Sequence, residues 1–304
     1  MLFSILIPTY NNERTIAKAI DSALNQDYDG EYEIVIVNNA STDSTLSVIE
    51  SYSDPKIKVI SNLSTVHMYE NHNICIKNAV GDYVIFCHSD DELLPESLKI
   101  LERKILDRMY PQRYIVWGHS LFRDFSMIMQ QYDSLLTYNT MFSGITAKLI
   151  MLRGGLTPSG TCYSKKIFTE LNYFPVVEGT YDLDWVFCVL AAYSACEFEM
   201  IDRILFKRVA SSIYHGNDDT GWRLEAVNKA AVALFNMLTE DQRNEIESLW
   251  RYYKFPKLNT LFYHPETKEE ILKKYMNLLK SKPWKIKILI KVILLKMNID
   301  ILKR

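Results

Sequence analysis

Along the first 117 residues the apolar positions follow two alternating rhythms. Short β-branched runs at 3–7, 33–37, 56–60, 82–87 and 114–117 predict strands, and helical spacing at 13–25, 42–52, 69–78 and 95–109 predicts helices. Strands that alternate with helices imply βαβ crossovers, so the expected fold class is α/β, with a Rossmann-like, mainly parallel central sheet flanked by helices. Ligands of such open sheets lie beyond the carboxyl ends of the strands. Here three strands end in polar or turn-forming residues: Pro8, Thr9, Tyr10, Asn11 and Asn12; then Asn38 to Asp43; then His88, Ser89, Asp90 and Asp91. Core packing needs none of these side chains, so the convergence of three polar ends on one rim predicts a site.

From 118 to 215 the pattern loosens. Glycines at 144, 154, 155, 160 and 179 and recurring tyrosines predict loops and short strands that complete the site. From Thr220 the spacing turns helical, with breaks near Pro256, Pro265 and Pro283. Two regions follow: 1–215, built on the sheet, and 216–304, a helical extension with a basic apolar tail.

Composition narrows the functional classes. At 304 residues, 48% hydrophobic, the chain can bury a full core. A net charge of −2 excludes nucleic-acid binding through a global positive field. The charge is uneven, however: residues 279–304 hold eight Lys or Arg against Asp300, a net of +7, which leaves −9 for the rest. Around Trp284 the lysines alternate with apolar residues, which suits a helix lying on an anionic membrane surface and equally a packed helix whose lysines snorkel. Five cysteines without a CxxC pair point to a reduced, intracellular protein. The apolar stretch 2–7 is too short for a signal peptide, and no uncharged run reaches the roughly 18 residues of a spanning helix. The expected location is the cytoplasm, peripheral at the inner face of the plasma membrane if the tail lies on lipid. The helical C-terminal third could also serve as a homo-oligomer interface.

The strand at 82–87 empties into His88-Ser89-Asp90-Asp91-Glu92. Carboxylates there can hold Mg²⁺ or Mn²⁺, which take oxygen ligands and keep open positions for substrate phosphates. The same acids, followed by Pro95 and Glu96, also fit a helix N-terminus. Both readings stay open on the residues alone.

Three segments in order resemble the bacterial family 2 glycosyltransferases of GT-A fold. They are Ser4 to Glu13, Glu33 to Asp43, and the stretch through Asn73, Ala79, Gly81 and Asp82 to His88-Ser89-Asp90-Asp91. The resemblance covers roughly 1–215. It implies a transferase that moves a sugar from a nucleotide-diphosphate donor to a hydroxyl of a glycan or polyprenyl-linked glycan. It places Pro8, Thr9, Tyr10, Asn11 and Glu13 around the base and ribose, and His72, Asn73, His88 and Ser89 beside the donor. Asn38 and Asn39 stand where relatives usually carry two acids; Asn39 keeps a carbonyl that can accept from a uracil N3–H, so UDP is the expected nucleotide. His88 replaces the first Asp of the DxD motif, and His72 stands where Arg is common. His88 could hold a borderline metal, contact the donor or ribose, or fill space; a donor or ribose contact is the reading adopted, with Asp90 first and Asp91 second as metal residues.

The resemblance puts the catalytic base at Asp182, with Asp184 as the alternative, although Tyr181 and Cys188 replace the usual Glu and Arg. A helix cap at Asp182 is the competing reading. The turn from Thr157 to Thr161 resembles a segment lining the acceptor side of the donor sugar. Arg208 is placed on the diphosphate, because its fork matches phosphate oxygens, and His215 on phosphate or metal. Asp43 is expected to support the second loop. The departures also keep open a catalytically silent sugar-nucleotide-binding subunit.

Overall fold

The computed structural model describes residues 1–122, 139–154, 156–180, 182–208 and 220–262. The chain runs β1 (Phe3–Thr9), α1 (Ile16–Leu24), β2 (Tyr32–Asn38), α2 (Thr45–Glu50), β3 (Ile57–Ser61), α3 (Met68–Asn78) and β4 (Tyr83–Phe86). It continues with β5 (Asp91–Leu93), α4 (Ser97–Asp107), β6 (Tyr114–Phe122), β7 (Met141–Phe142), α5 (Gly144–Arg153), β8 (Thr161–Ser164) and α6 (Lys165–Glu170). Then follow α7 (Leu183–Tyr193), β9 (Glu197–Arg208), α8 (Thr220–Met237), α9 (Glu240–Tyr253), a 3-10 turn (Pro256–Leu258) and α10 (Asn259–Phe262).

Among the described residues, all nine strands join one sheet in the order β3-β2-β1-β4-β8-β6-β9-β5, with β7 also on β9. The first four are mutually parallel, and β6 is parallel to β9; β8, β5 and β7 run against their neighbours. The chain leaves β1 toward β2 on one side and returns to β4 on the other, so the rim above β1 is the switch point where such sheets bind ligands.

Both faces of the central strands are covered, which is why they read as continuous apolar runs. Phe3, Ile5 and Ile7 of β1 pack with Ile16 and Ile20 of α1 and Leu98 and Leu101 of α4. Leu6 points the other way, into the core shared by α3, α5, α6 and α7. Helix α7 is buried almost all round, and α8 and α9 add Leu234, Ile246 and Trp250 to that same core. The described part of the C-terminal region therefore packs as one body with the sheet.

Every strand and helix expected before residue 118 is present. Between the strand read at 82–87 and the helix read at 95–109, residues 91–93 form the edge strand β5, paired with β9. Strand β9 hides from a periodicity reading because Glu199, Asp202 and Arg203 interrupt its apolar pattern. Glu199 is fully buried, with bonds from Arg108 Nε (3.0 Å), Arg108 Nη2 (3.2 Å), Lys104 Nζ (3.4 Å) and the Tyr114 hydroxyl (2.6 Å). The tail from 279 and His215 lie outside the described residues. Among the described residues no helix is long and apolar enough to cross a membrane.

Candidate active site

The loops after β1 and β2 hold each other. Asn39 N–H donates to the Thr9 carbonyl at 2.9 Å, and Thr42 N–H donates to Asn11 Oδ1 at 2.8 Å. Ser44 N–H reaches Glu13 Oε2 at 3.0 Å, while Asp43 accepts from Glu13 N–H and from Thr45. Asp43 thus supports the second loop, as expected. Asn11 and Ala40 adopt left-handed backbone, at φ 51° and 54°, to make these tight bends. Pro8 and Thr9 are buried beneath the rim and Tyr10 projects from it, 45% exposed. The Thr9 hydroxyl is buried without a hydrogen-bond partner, as befits a group at a ligand-facing edge.

Two asparagines are engaged otherwise than the resemblance implies. Asn39 Oδ1 accepts from Val66 N–H and from Asn62 Nδ2, both at 2.9 Å, and Asn39 Nδ2 donates to the Val66 carbonyl. Both lone pairs of that oxygen are used, so the carbonyl expected to read the base instead pins the 62–66 loop. Asn73 is buried and makes a two-point pairing with the backbone of Phe174, at 2.9 and 3.0 Å. Its amide fixes a loop.

Beyond β4 the chain turns sharply, with Asp91 N–H bonded to the His88 carbonyl at 2.9 Å. His88 N–H donates to Ser159 Oγ at 3.1 Å, and Ser89 and Asp91 are buried. One ligand atom each from His88, Asp90 and Asp91 lie within 4.8 Å of one another. Two carboxylates and one imidazole nitrogen in that space fit a divalent ion such as Mn²⁺ or Mg²⁺. The helix-cap reading of these acids fails, because α4 begins only at Ser97 and Asp91 belongs to a strand. In the β5–β9 ladder Asp91 sits opposite Arg208, so the guanidinium and the acids share one edge.

A histidine pair, His72 buried and His88 half-buried, backs this turn. His72 Nδ1 lies 2.8 Å from the Met68 carbonyl, and His72 Nε2 lies 3.0 Å from His88 Nε2. Burial lowers His72 to about 3, helped by His88, and lowers His88 to about 4, helped by Arg208. Both rings are neutral at pH 7.

Next to the turn a cleft is lined by Trp117, Thr157, Ser159, Thr161, Met200 and Arg208. The Thr157–Thr161 turn is tied to β4 through Gly160 N–H on the Phe86 carbonyl, 2.9 Å. Gly160 has φ +72°, and a Cβ there would fall 2.0 Å from the Phe206 ring, so only glycine fits.

The two candidate bases differ. Asp182 stands at the N-cap position of α7 but makes no side-chain cap bond; its carboxylate is one third exposed and pairs with Lys257 Nζ at 2.8 Å. Asp184 accepts from Trp185 N–H at 2.8 Å and from the Tyr69 hydroxyl. Burial raises Asp184 to about 6, with Lys257 opposing and Asp182 reinforcing the rise. Tyr69 and Lys257 were not picked out in the sequence. Tyr69 was legible as the i−3 neighbour of His72 on one face of α3, their rings 5.5 Å apart. Nothing local marks Lys257, which reaches Asp182 across 75 positions. Tyr181 and His215 lie outside the described residues.

Residues 4–146 match the family described as Glycosyl transferase family 2. Over 102 residues the chain is 37% identical to the poly(ribitol-phosphate) β-N-acetylglucosaminyltransferase TarS of Staphylococcus aureus, covering 33% of this chain and 18% of that protein. Over 99 residues it is 32% identical to the UDP-Glc:α-D-GlcNAc-diphosphoundecaprenol β-1,3-glucosyltransferase WfgD of Escherichia coli, covering 33% of this chain and 39% of that one. These matches span less than two thirds of either relative. Among solved structures, S. aureus TarS 1-349 in complex with UDP-GlcNAc superposes with a TM-score of 0.64 at 22% identity, over 90% of this chain and 79% of that one. The mannosyltransferase PcManGT of Pyrobaculum calidifontis, in complex with GDP-Man and Mn²⁺, gives 0.58 at 14% identity, over 99% and 88%. Sequence match and sheet architecture agree: residues 4–146 match glycosyltransferase family 2, and the sheet has the GT-A fold of these solved structures.

Proposed function

We propose that this chain is an inverting glycosyltransferase that moves a sugar from a UDP-sugar to a hydroxyl of a glycan or lipid-linked glycan during surface polysaccharide assembly. The observation that carries the reading is one rim: interlocked β1 and β2 loops, then the His88–Asp91 turn, with Arg208 opposite Asp91. The relatives' named activities add the substrate class, since TarS acts on poly(ribitol-phosphate) and WfgD on a diphosphoundecaprenol-linked sugar.

Tyr10 offers its exposed ring to the base, and Thr9, Asn11 and Glu13 frame the ribose. Asp90 and Asp91 hold Mn²⁺ or Mg²⁺, which when bound neutralises charge building on the departing diphosphate. Arg208 reaches the same phosphates with its planar fork. The acceptor oxygen attacks the anomeric carbon, the bond from that carbon to the phosphate oxygen breaks with its electron pair leaving on UDP, and the hydroxyl proton passes to Asp182. Of the two acids Asp182 is the more exposed and the one an acceptor can reach, while Asp184 is clamped by Tyr69 and Trp185.

The test is UDP release from a panel of UDP-sugars with Mn²⁺ and a polyprenyl-linked glycan, for the wild type and Asp182→Asn. Turnover with one donor, reduced about 10²- to 10⁴-fold in the variant, is expected. UDP binding without turnover of any donor would instead make the chain a silent sugar-nucleotide-binding subunit.

A further inference from the structure

The hydrogen bonds of the histidine pair fix both tautomers. A carbonyl only accepts, so the Met68 contact at 2.8 Å requires the proton of His72 on Nδ1. A neutral His72 then presents a bare Nε2, and the 3.0 Å contact requires His88 to donate from its own Nε2. The lone pair of a neutral His88 is therefore left on Nδ1. His88 is also tethered through its backbone, since its N–H is held by Ser159 Oγ and its carbonyl accepts from Asp91 N–H. Such an arrangement, in which a carbonyl orients one imidazole that orients a second, is what metal-ligating histidines use to set tautomer and ring orientation. The ring so prepared is the one whose ligand atom lies within 4.8 Å of those of Asp90 and Asp91.

We infer that His88 is a metal ligand through Nδ1, that His72 is the positioning residue that holds it in the ligating tautomer, and that the pair biases the site toward first-row transition ions over Mg²⁺. This replaces the ribose-contact role that the resemblance suggested for His88. The chemical reason for the bias is the donor set. Carboxylates and water suit Mg²⁺, whereas an imidazole nitrogen adds affinity for transition ions and little for Mg²⁺. The inference rests on the transferase reading only in taking Asp90 and Asp91 as cation holders. The buried His72 has no bond left for substrate, because Met68 and His88 take both of its nitrogens, so its role runs through His88.

The experiment uses the full chain with Mn²⁺ alone and with Mn²⁺ and UDP, read by pulsed electron paramagnetic resonance. The wild type is expected to show a directly bound ¹⁴N coupling that disappears in His88→Asp while Mn²⁺ stays bound. Mg²⁺ should displace Mn²⁺ from His88→Asp at about 10-fold lower concentration than from the wild type. His72→Phe, which cannot accept from His88, should weaken Mn²⁺ by about 10-fold or more, and His72→Gln, whose amide oxygen can accept, should restore most of it. Bound Mn²⁺ without nitrogen coupling, or a coupling that survives His88→Asp, overturns the inference and leaves the transferase reading standing. UDP binding with no Mn²⁺ bound in any mixture overturns the inference together with the metal-assisted part of that reading.

Discussion

The parallel half of the sheet, β1 to β4, and the mixed half, β5 to β9, hold their segments together by different means. In the first, hydrogen bonds without ion pairs lock two loops about thirty positions apart: Asn11 to Thr42, Asn12 to Thr45 and Thr9 to Asn39, with Glu13 and Asp43 accepting from backbone N–H. In the second, charged groups from distant segments meet: Glu199 with Arg108 and Lys104, Glu92 with Lys207, Asp182 with Lys257. The first kind gives a preformed cradle that needs no counter-charge. The second fixes charged side chains on packed elements, and β9 carries one such pair near its start, at Glu199, and another beside the Asp91–Arg208 edge, at Lys207. A substitution should therefore act differently in the two halves, on ligand affinity in the cradle and on folding in the charged edge.

The largest effect is expected at Gly160→Ala. A left-handed residue with a side chain is disfavoured by about 1–2 kcal/mol, and the overlap with Phe206 adds about 1–3. Urea unfolding should register a loss of about 2–5 kcal/mol. A loss below about 1 kcal/mol would mean that the turn against β9 yields easily, and that the mixed half is not the rigid edge described.

Glu199→Gln should remove about 2–3 kcal/mol, below the range for a fully buried broken pair because Arg108 and Lys104 keep some access to water. Its pH signature separates it from packing defects. Burial pushes the Glu199 carboxyl up, but bonds from Arg108 and Tyr114 outweigh this and hold it below its ordinary 4.5. The folded state then binds fewer protons than the unfolded one, so this stability is present above about 4.5 and is lost as pH falls through the lowered value. His72 and His88, also lowered, act earlier. The unfolded chain protonates them below about 6.5, so stability falls from there downward, offset in part by Asp184, which takes up a proton near 6 in the folded state. Unfolding midpoints across pH 3 to 8 should show both limbs in the wild type and only the upper one in Glu199→Gln.

The smallest effect, and the one that sets sequence against structure most directly, is Asn39→Asp. Read from the resemblance, an acid there restores the relatives' base contact and strengthens UDP binding. The structure sets a second oxygen against the Val66 carbonyl in place of an N–H donor, which loosens the 62–66 loop. UDP affinity should fall a few-fold, about 1 kcal/mol, by calorimetric titration. A gain in affinity would show that the loop yields to the nucleotide and that the cradle is less fixed than its hydrogen bonds suggest.

Much was legible without coordinates, for physical reasons that differ by element. Strands β1, β2 and β4 are buried on both faces, so their apolar runs stand out, and the polar residues at their ends mark the rim without any knowledge of the fold. The mainly parallel sheet and the placing of Asp90 and Asp91 beside one another follow from local pattern and short spacing, whereas the strand order, with its switch point above β1, came only with the folded sheet. Strand β9 was not legible, because its buried Glu199 is tolerable only beside Arg108 and Lys104 from another element. Lys257 on Asp182, Tyr69 on Asp184 and Arg208 across from Asp91 are likewise long-range meetings that no window of residues encodes. The two histidines show the division most clearly. The sequence supplies His72 and His88, but only folding brings them to 3.0 Å, where one carbonyl dictates which nitrogen of each ring carries the proton. Local periodicity determined the scaffold and the rim; burial and distant partners decided the protonation and hydrogen-bonding state of each group on it.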